Sequence, residues 1–336
     1  MNKNFNRVVT VSGVLAFCVI VLGAFVRLSD AGLGCPDWPG CYGILVGVPD
    51  TAPAIEAANE NYDRAVEIGK AWKEMVHRYL AGVLGLLVFF IAAWLIRGDK
   101  EGNRQVGYGV VLALALSFQA VLGMWTVTWQ LKPLVVMCHL LGGFTLFNLL
   151  GWQWLRSLSN QHQFLHRIPS GLGNFSIVVI AALVVQIALG GWVSSNYAAL
   201  ACTEFPRCHG SLWPQDMDLR NGFIMWRGLG VDYEFGVLDH PARLAIHMVH
   251  RAGALVVSSL ILFYAWRLFR AAVGVAPLRK VSLLIVGLLT LQITLGIINV
   301  VGHLPLPVAV AHNGVALLLL FSILSSTYML KSGRYL

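Results

Sequence analysis

The sequence predicts an all-α integral membrane protein. Eight transmembrane helices form two tandem four-helix bundles, related by a pseudo-twofold axis along the membrane normal. Three observations predict this. Charge is scarce: of 336 residues, 57% are hydrophobic and 12% charged, against about 25% charged in an average soluble domain. Uncharged runs recur at about the length needed to cross a bilayer. The second half of the chain repeats landmarks of the first. Mean hydropathy is +0.70, and a soluble chain this apolar could not cover its core with polar surface. Disorder, collagen and an ordinary cytosolic enzyme are excluded.

The spans follow in order from the runs without Asp, Glu, Lys or Arg. Val8 to Val26 is the first, Tyr79 to Ile96 the second, and Gln105 to Leu131 and Pro133 to Leu155 flank Lys132. The fifth lies within Ile168 to Thr203, whose tail from Ser194 reads as loop. The sixth is Ala252 to Trp266, extended upstream through His250 and His247 toward Arg243. Val281 to Leu330 is too long for one span. Gly302, His303, Pro305 and Pro307 divide it into the seventh and eighth. Lys3 and Arg7 before an apolar run resemble a signal peptide in outline. The run is long and no small-x-small site follows it, so it reads as the first membrane helix. No separate globular domain is expected, only two large outer loops, about Ser29 to Lys73 and Ser194 to Arg243.

Charge sets the orientation. With both termini in the cytoplasm of a bacterial-type inner membrane, the inner segments hold thirteen bases and two acids. The remainder holds eleven bases and fourteen acids. The short inner loops are the basic ones, as the positive-inside rule requires. The net charge of +8 therefore reports topology, and no nucleic-acid partner is expected.

Self-comparison defines the halves, 1–166 and 167–336. Leu22-Gly23 and Cys35…Cys41 match Leu189-Gly190 and Cys202…Cys208 at an offset of 167. Glu74-Met75-Val76-His77-Arg78 matches His247-Met248-Val249-His250-Arg251 at 173, as Gln119, Gly123 and His139 match Gln292, Gly296 and His312. The offset changes once, in the outer loop, where insertions are tolerated.

His77, His139, His250 and His312 thus form two matched pairs near the outer surface, each on neighbouring parallel helices. Two neutral imidazoles can ligate one iron from both faces of a porphyrin, and bundles build cofactor sites from inward side chains. The bland alternative is four hydrogen-bonded packing residues, although intramembrane ionisable groups default to function. Zinc or copper would need further ligands. Arg78 and Arg251 follow the ligand candidates and could pair with haem propionates or snorkel to the headgroups. Glu74, three residues before His77, shares its helix face, and its counterpart is His247. It could exchange protons beside an apolar haem edge. It could instead favour a helix N-terminus, orient His77 or lie in the outer loop.

Cys35–Cys41 and Cys202–Cys208 have equal spacing, each enclosing an acid, an aromatic and Pro, and lie on the side where disulfides persist. A loop staple and a redox or gating role both fit. Zinc binding there lacks added His at ligand spacing, although His209 adjoins Cys208. Cys18 and Cys138 read as small buried apolar residues. His162 and His166 read as an inner solvated face, and His240 and His303 as outer helix ends. The eleven Trp fit interfacial belts.

Taken together, these residues resemble the heme A synthase (CtaA) family over nearly the whole chain. The resemblance rests on Glu74-x-x-His77-Arg78, His139, His250-Arg251, His312 and Cys35/Cys41. It implies oxidation of a porphyrin methyl of haem O to a formyl group, giving haem A for terminal oxidases. By that resemblance His77/His139 hold the substrate haem, His250/His312 hold a permanent haem b, and Glu74 is the catalytic acid. Haem O synthase, an unidentified electron donor and membrane lipid are the implied partners. The competing class is a non-catalytic dihaem b electron carrier. A transporter is weakened because the ionisable residues cluster near the outer surface, not the midplane.

Overall fold

The computed structural model describes residues 3–98, 104–158, 162–163, 170–272, 274–332 and 334–335. The expected boundary between halves at 166/167, with His166, lies outside the described residues. Eight helices are long and apolar enough to span a membrane: α1 (Lys3–Leu28), α3 (Ile68–Arg97), α4 (Val106–Thr128), α5 (Pro133–Leu158), α6 (Ser170–Ser195), α8 (His240–Ala271), α9 (Ala276–Val301) and α10 (Leu306–Ser332). Short helices α2 (Ala52–Asn61) and α7 (Leu219–Gly222) lie in the two large loops. The all-α expectation needs one small addition. Strands β1 (His162–Gln163) and β2 (Arg334–Tyr335) pair antiparallel, joining the segment between α5 and α6 to the end of the chain.

Two helices start earlier than their uncharged runs. α3 begins at Ile68, about five residues before the expected end of the loop at Lys73, and carries Lys70, Lys73, Glu74 and Arg78 on its first turns. Its 30 residues span about 45 Å, against about 30 Å of hydrocarbon, so charge is tolerated on the part that projects. α8 begins at His240, where Asp239 caps the Ala242 N–H at 3.2 Å and Pro241 occupies the first turn. Cys18 is exposed, not buried as expected, which on an apolar spanning helix leaves it facing lipid.

Helix contacts close two rings of four. α1 touches α3 and α5, and α4 touches α3 and α5. In the second half α6 touches α8 and α10, and α9 touches α8 and α10. The rings meet through α1–α10, α5–α6 and α5–α10. Exchanging the halves carries this contact pattern into itself. Burial agrees: half of the spanning window of α5 and of α10 is buried, but only 17% of those of α4 and α9. α5 and α10 are therefore the centre, and α4 and α9 face outward. At the centre the Phe147 and Phe321 rings meet edge to face, 5.6 Å apart.

A second set of ties joins the halves outside the membrane. Arg27 donates to the Ser194 carbonyl at 2.7 Å and lies 4.1 Å from the centre of the Tyr197 ring. Arg64, just before α3, pairs with Asp232 at 3.0 Å and with Glu234. Lys132 is only 1% exposed. Its ammonium lies 3.2 Å from the Trp226 ring centre and donates to the Gly228 carbonyl at 3.1 Å. Burial pushes its pKa below the usual lysine value; the carbonyl and the ring face are what keep the cation tolerable there. A strap from the second large loop, roughly 226–234, thus lies across the loop end of the first half.

Candidate functional site

The four paired histidines come from α3, α5, α8 and α10. Ring order corrects one expectation. α3 and α5 are not neighbours but stand diagonally across the first bundle, as α8 and α10 do across the second. Diagonal placement lets two imidazoles approach a common space from opposite sides. His77 and His139 are close enough to interact electrostatically, as are His250 and His312.

Each ring rests on a glycine of the preceding long helix. A Cβ built at Gly23 would stand 2.9 Å from His77 Cε1, and one at Gly123 3.2 Å from His139 Cε1. At Gly190 and Gly296 the same atom would stand 3.1 Å from His250 and His312. A side chain at any of the four would push its imidazole aside. One turn before three of these glycines stands a glutamine. Gln119 Nε2 donates to the His139 carbonyl at 3.0 Å. Gln186 Nε2 donates to the His250 carbonyl at 2.9 Å and lies 3.0 Å from its Nδ1. Gln292 Nε2 lies 3.2 Å from His312 Nε2. The fourth such position is Val19. Sequence reading found Gln119 and Gln292 as repeat markers but missed Gln186. The signal was the Gln-x-x-x-Gly spacing shared by α4, α6 and α9.

The histidine side chains are half-buried. Yet the Nδ1 atoms of His77, His139 and His312 are closed off and have no hydrogen-bond partner, and Oε1 of Gln119, Gln186 and Gln292 is likewise orphaned. Buried polar atoms without partners are uncommon in native structures. Facing pairs of neutral, under-satisfied imidazoles fit a planar iron porphyrin held from both faces. Among the described residues no group of three or more His, Cys, Asp or Glu converges as for a metal ion, so each pair offers two ligands only.

Above each pair the chain builds the same cap. Cys35–Cys41 and Cys202–Cys208 are both disulfide-bonded. Cys41 and Ile44 exchange backbone hydrogen bonds of 2.9 and 3.1 Å, and Cys208 and Ser211 ones of 2.7 and 3.0 Å. Between them Tyr42-Gly43 (φ 52° and 78°) and His209-Gly210 (φ 49° and 76°) turn the chain. Two successive positive φ values are what a tight hairpin turn requires, and glycine adopts one without steric cost. Asp37 closes the first turn by accepting from the Tyr42 and Gly43 N–H groups at 2.6 and 2.8 Å. Glu204 accepts only from Gly210, at 3.3 Å.

Both arginines clasp these caps. Arg78 donates to the carbonyls of Asp37 at 2.9 Å and of Gly40. Arg251 donates to those of Glu204 at 2.7 Å and Arg207 at 3.4 Å. Snorkelling to headgroups is thus replaced by a bond to the loop. Arg251 keeps a buried Nε without a partner; both terminal nitrogens of Arg78 are engaged.

Glu74 is the asymmetric member. It lies inside α3, not in the loop, and is 4% exposed. Its Oε1 accepts from Arg78 Nη2 at 2.5 Å and its Oε2 from the Cys35 N–H at 2.9 Å. The carboxylate therefore joins the helix turn above His77 to the disulfide cap. The counterpart His247 instead places Nδ1 3.0 Å from the Ala198 carbonyl. His209 and His240 stack 5.3 Å apart at the outer surface, away from these pairs in the chain.

The family described as COX15-CtaA, cytochrome oxidase assembly protein, matches residues 6–324. A protein of Shewanella oneidensis named heme A synthase is 46% identical over 318 residues, 94% of each chain. Similarly named proteins of Rhizorhabdus wittichii and Agrobacterium fabrum are 30% and 29% identical. They cover 93% and 90% of this chain, and 89% and 84% of their own length is matched.

Proposed function

The chain belongs to the COX15-CtaA family of cytochrome oxidase assembly proteins, and from that premise we propose that it is a heme A synthase. It is a multi-pass membrane protein of eight spanning helices. In this reading it oxidises a methyl group of haem O to the formyl group of haem A for terminal oxidases. Haem O is the substrate, haem b the resident cofactor. Haem O synthase and an electron donor not yet identified are partners. Both termini lie in the cytoplasm and the Cys loops outside.

The division of labour follows the halves, 1–166 and 167–336, related by a pseudo-twofold axis along the membrane normal; the exchangeable contact pattern supports that axis. His77 and His139 hold the substrate haem, and His250 and His312 hold haem b. The facing of the two imidazoles within each pair supports both assignments. Bound haem iron supplies the redox chemistry. The chain holds the porphyrin by its imidazoles, fixes ring height through the four glycines, and closes the outer end with the disulfide caps. Arg251 can direct its free Nε–H to a propionate; Arg78 holds the cap and the Glu74 carboxylate, with any propionate contact added to these. Glu74 holds or releases a proton at its carboxylate oxygens, one turn from His77.

The observation that carries the reading is Glu74 opposite His247: two matched imidazole pairs, and a carboxylate beside only one. Replacing Glu74 with Ala, and in parallel with Gln, tests it by analysis of extracted haems. A general acid–base contributes about 10²–10⁴-fold. Haem A should therefore fall by about two orders of magnitude while haem O accumulates; unchanged haem A output would sink the role. The near-equal geometry of the two His–Gly contacts per half favours one rival, a dihaem b electron carrier. That reading predicts two permanent haems with no chemical change in either, and mass analysis of the same extracts separates the two.

A further inference from the structure

The tip of the first disulfide loop has the surface of a membrane-facing segment. From Ile44 to Pro49 the chain reads Ile-Leu-Val-Gly-Val-Pro, with no polar side chain. Leu45 is 72% and Val46 81% exposed, as open as Leu86 (75%) in the middle of spanning helix α3. Two such side chains in water would be an unusual expense for a small loop.

The height of the tip follows from one hydrogen bond. The Gly47 N–H donates to the Tyr79 hydroxyl at 2.7 Å. Tyr79 lies on α3, which ends at Arg97 at its basic inner end. Counting outward from Arg97, Tyr79 is about 27 Å up the helix, just within a hydrocarbon layer of about 30 Å. Tyrosine on a helix leans toward the N-terminus, here outward, so Gly47 sits at the boundary between acyl chains and headgroups. Val76 and Val83 of α3, on either side of that level, are 41% and 50% exposed, so the tip continues an apolar surface already facing lipid. Backbone at this depth must satisfy its polar groups internally. The Cys41–Ile44 pair, the Asp37 carboxylate and the Tyr79 hydroxyl satisfy several of them.

We propose that Ile44-Leu45-Val46 is an interfacial finger whose partner is the outer leaflet of the bilayer. It pins the Cys35–Cys41 cap at a fixed height above Glu74 and His77. The second half lacks the tether: Ala252 stands where Tyr79 stands, and the tip Ser211-Leu212-Trp213 runs on into Pro214-Gln215-Asp216. The finger belongs to the first half and does not depend on which haem either half binds.

Nitroxide labels at Leu45→Cys and Val46→Cys test it, in full-length protein carrying Cys18→Ser and Cys138→Ala, reconstituted in phosphatidylcholine–phosphatidylglycerol nanodiscs. Both sites are exposed, so the labels leave the packed fold alone. Collision with oxygen should exceed collision with a water-soluble nickel chelate at both sites. The order should reverse at the exposed, charged position Glu60→Cys on α2. Tyr79→Phe should raise nickel access at position 45 severalfold. Nickel access at 45 and 46 equal to that at 60 would overturn the finger. Unchanged access in Tyr79→Phe would overturn the tether that sets its height.

Discussion

The two halves share a scaffold and differ in what surrounds one histidine. Four imidazoles rest on four glycines, two arginines clasp two disulfide caps, and α5 and α10 are buried to the same degree. Against that sameness, three positions near His77 depart from the repeat. Glu74 replaces the counterpart of His247, Val19 replaces that of Gln186, and Tyr79 replaces that of Ala252. The first exchanges an imidazole for a carboxylate, the second removes an amide and the third adds a hydroxyl. His250 and His312 each have a glutamine amide against them, and His77 has Val19 at that position. A duplicated frame can keep one site fixed while a second acquires exchange and chemistry, because the positions that specialise are not those that carry the fold.

The largest expected effect is on bound haem. His250→Ala should remove the haem b proposed for the second half, and with it most of the Soret absorbance of purified protein, while His77→Ala should leave most of it. Equal losses from both variants would break the comparison. Next come the glycines. Gly190→Ala and Gly23→Ala each place a methyl against an imidazole, an overpacking cost of about 1–3 kcal/mol. Gly190→Ala should lower haem b content and thermal midpoint together. Gly23→Ala should spare haem b and impair only haem O turnover. Val19→Gln sharpens the contrast by restoring the fourth amide. One added hydrogen bond is worth about 1 kcal/mol, so transfer of haem from the first half to apomyoglobin should slow by about fivefold; no slowing would deny the amide a positioning role. The smallest effect belongs to the strap. Arg64 is partly exposed, so Arg64→Ala should cost about 1 kcal/mol or less. The difference from the native chain should shrink in high salt.

How much of this was legible in the sequence depends on what lipid forbids. The eight spans could be read from missing charge because hydrocarbon excludes it. The uncharged runs fall short of the starts of α3 and α8, since their first turns project beyond the layer and Lys70 and Lys73 are allowed there. Equal spacing revealed both disulfides. The depth of the histidines followed from helix direction, but ring order did not, and neighbours became diagonals. Arg78 and Arg251 were placed on the right helix turn without their partners, because the carbonyls they bind lie 38 to 49 residues away. Arg64 with Asp232 and Glu234 left no local trace at all. Ion pairs about 170 residues apart have no periodicity to betray them.

The arginine clasps have a consequence for how the chain can change length. Arg78 and Arg251 belong to the register of 173, while the carbonyls they bind belong to the register of 167. One contact therefore bridges two registers, and the six-residue difference must be absorbed between the cap and the helix that returns to it. The difference in length between the halves therefore falls within two windows, from Gly47 to Ile68 and from Trp213 to His240. Those windows hold α2 and Arg64 on one side and Trp226, Asp232 and Glu234 on the other. Because they grip each other, a change of length in one window alters what the other has to reach.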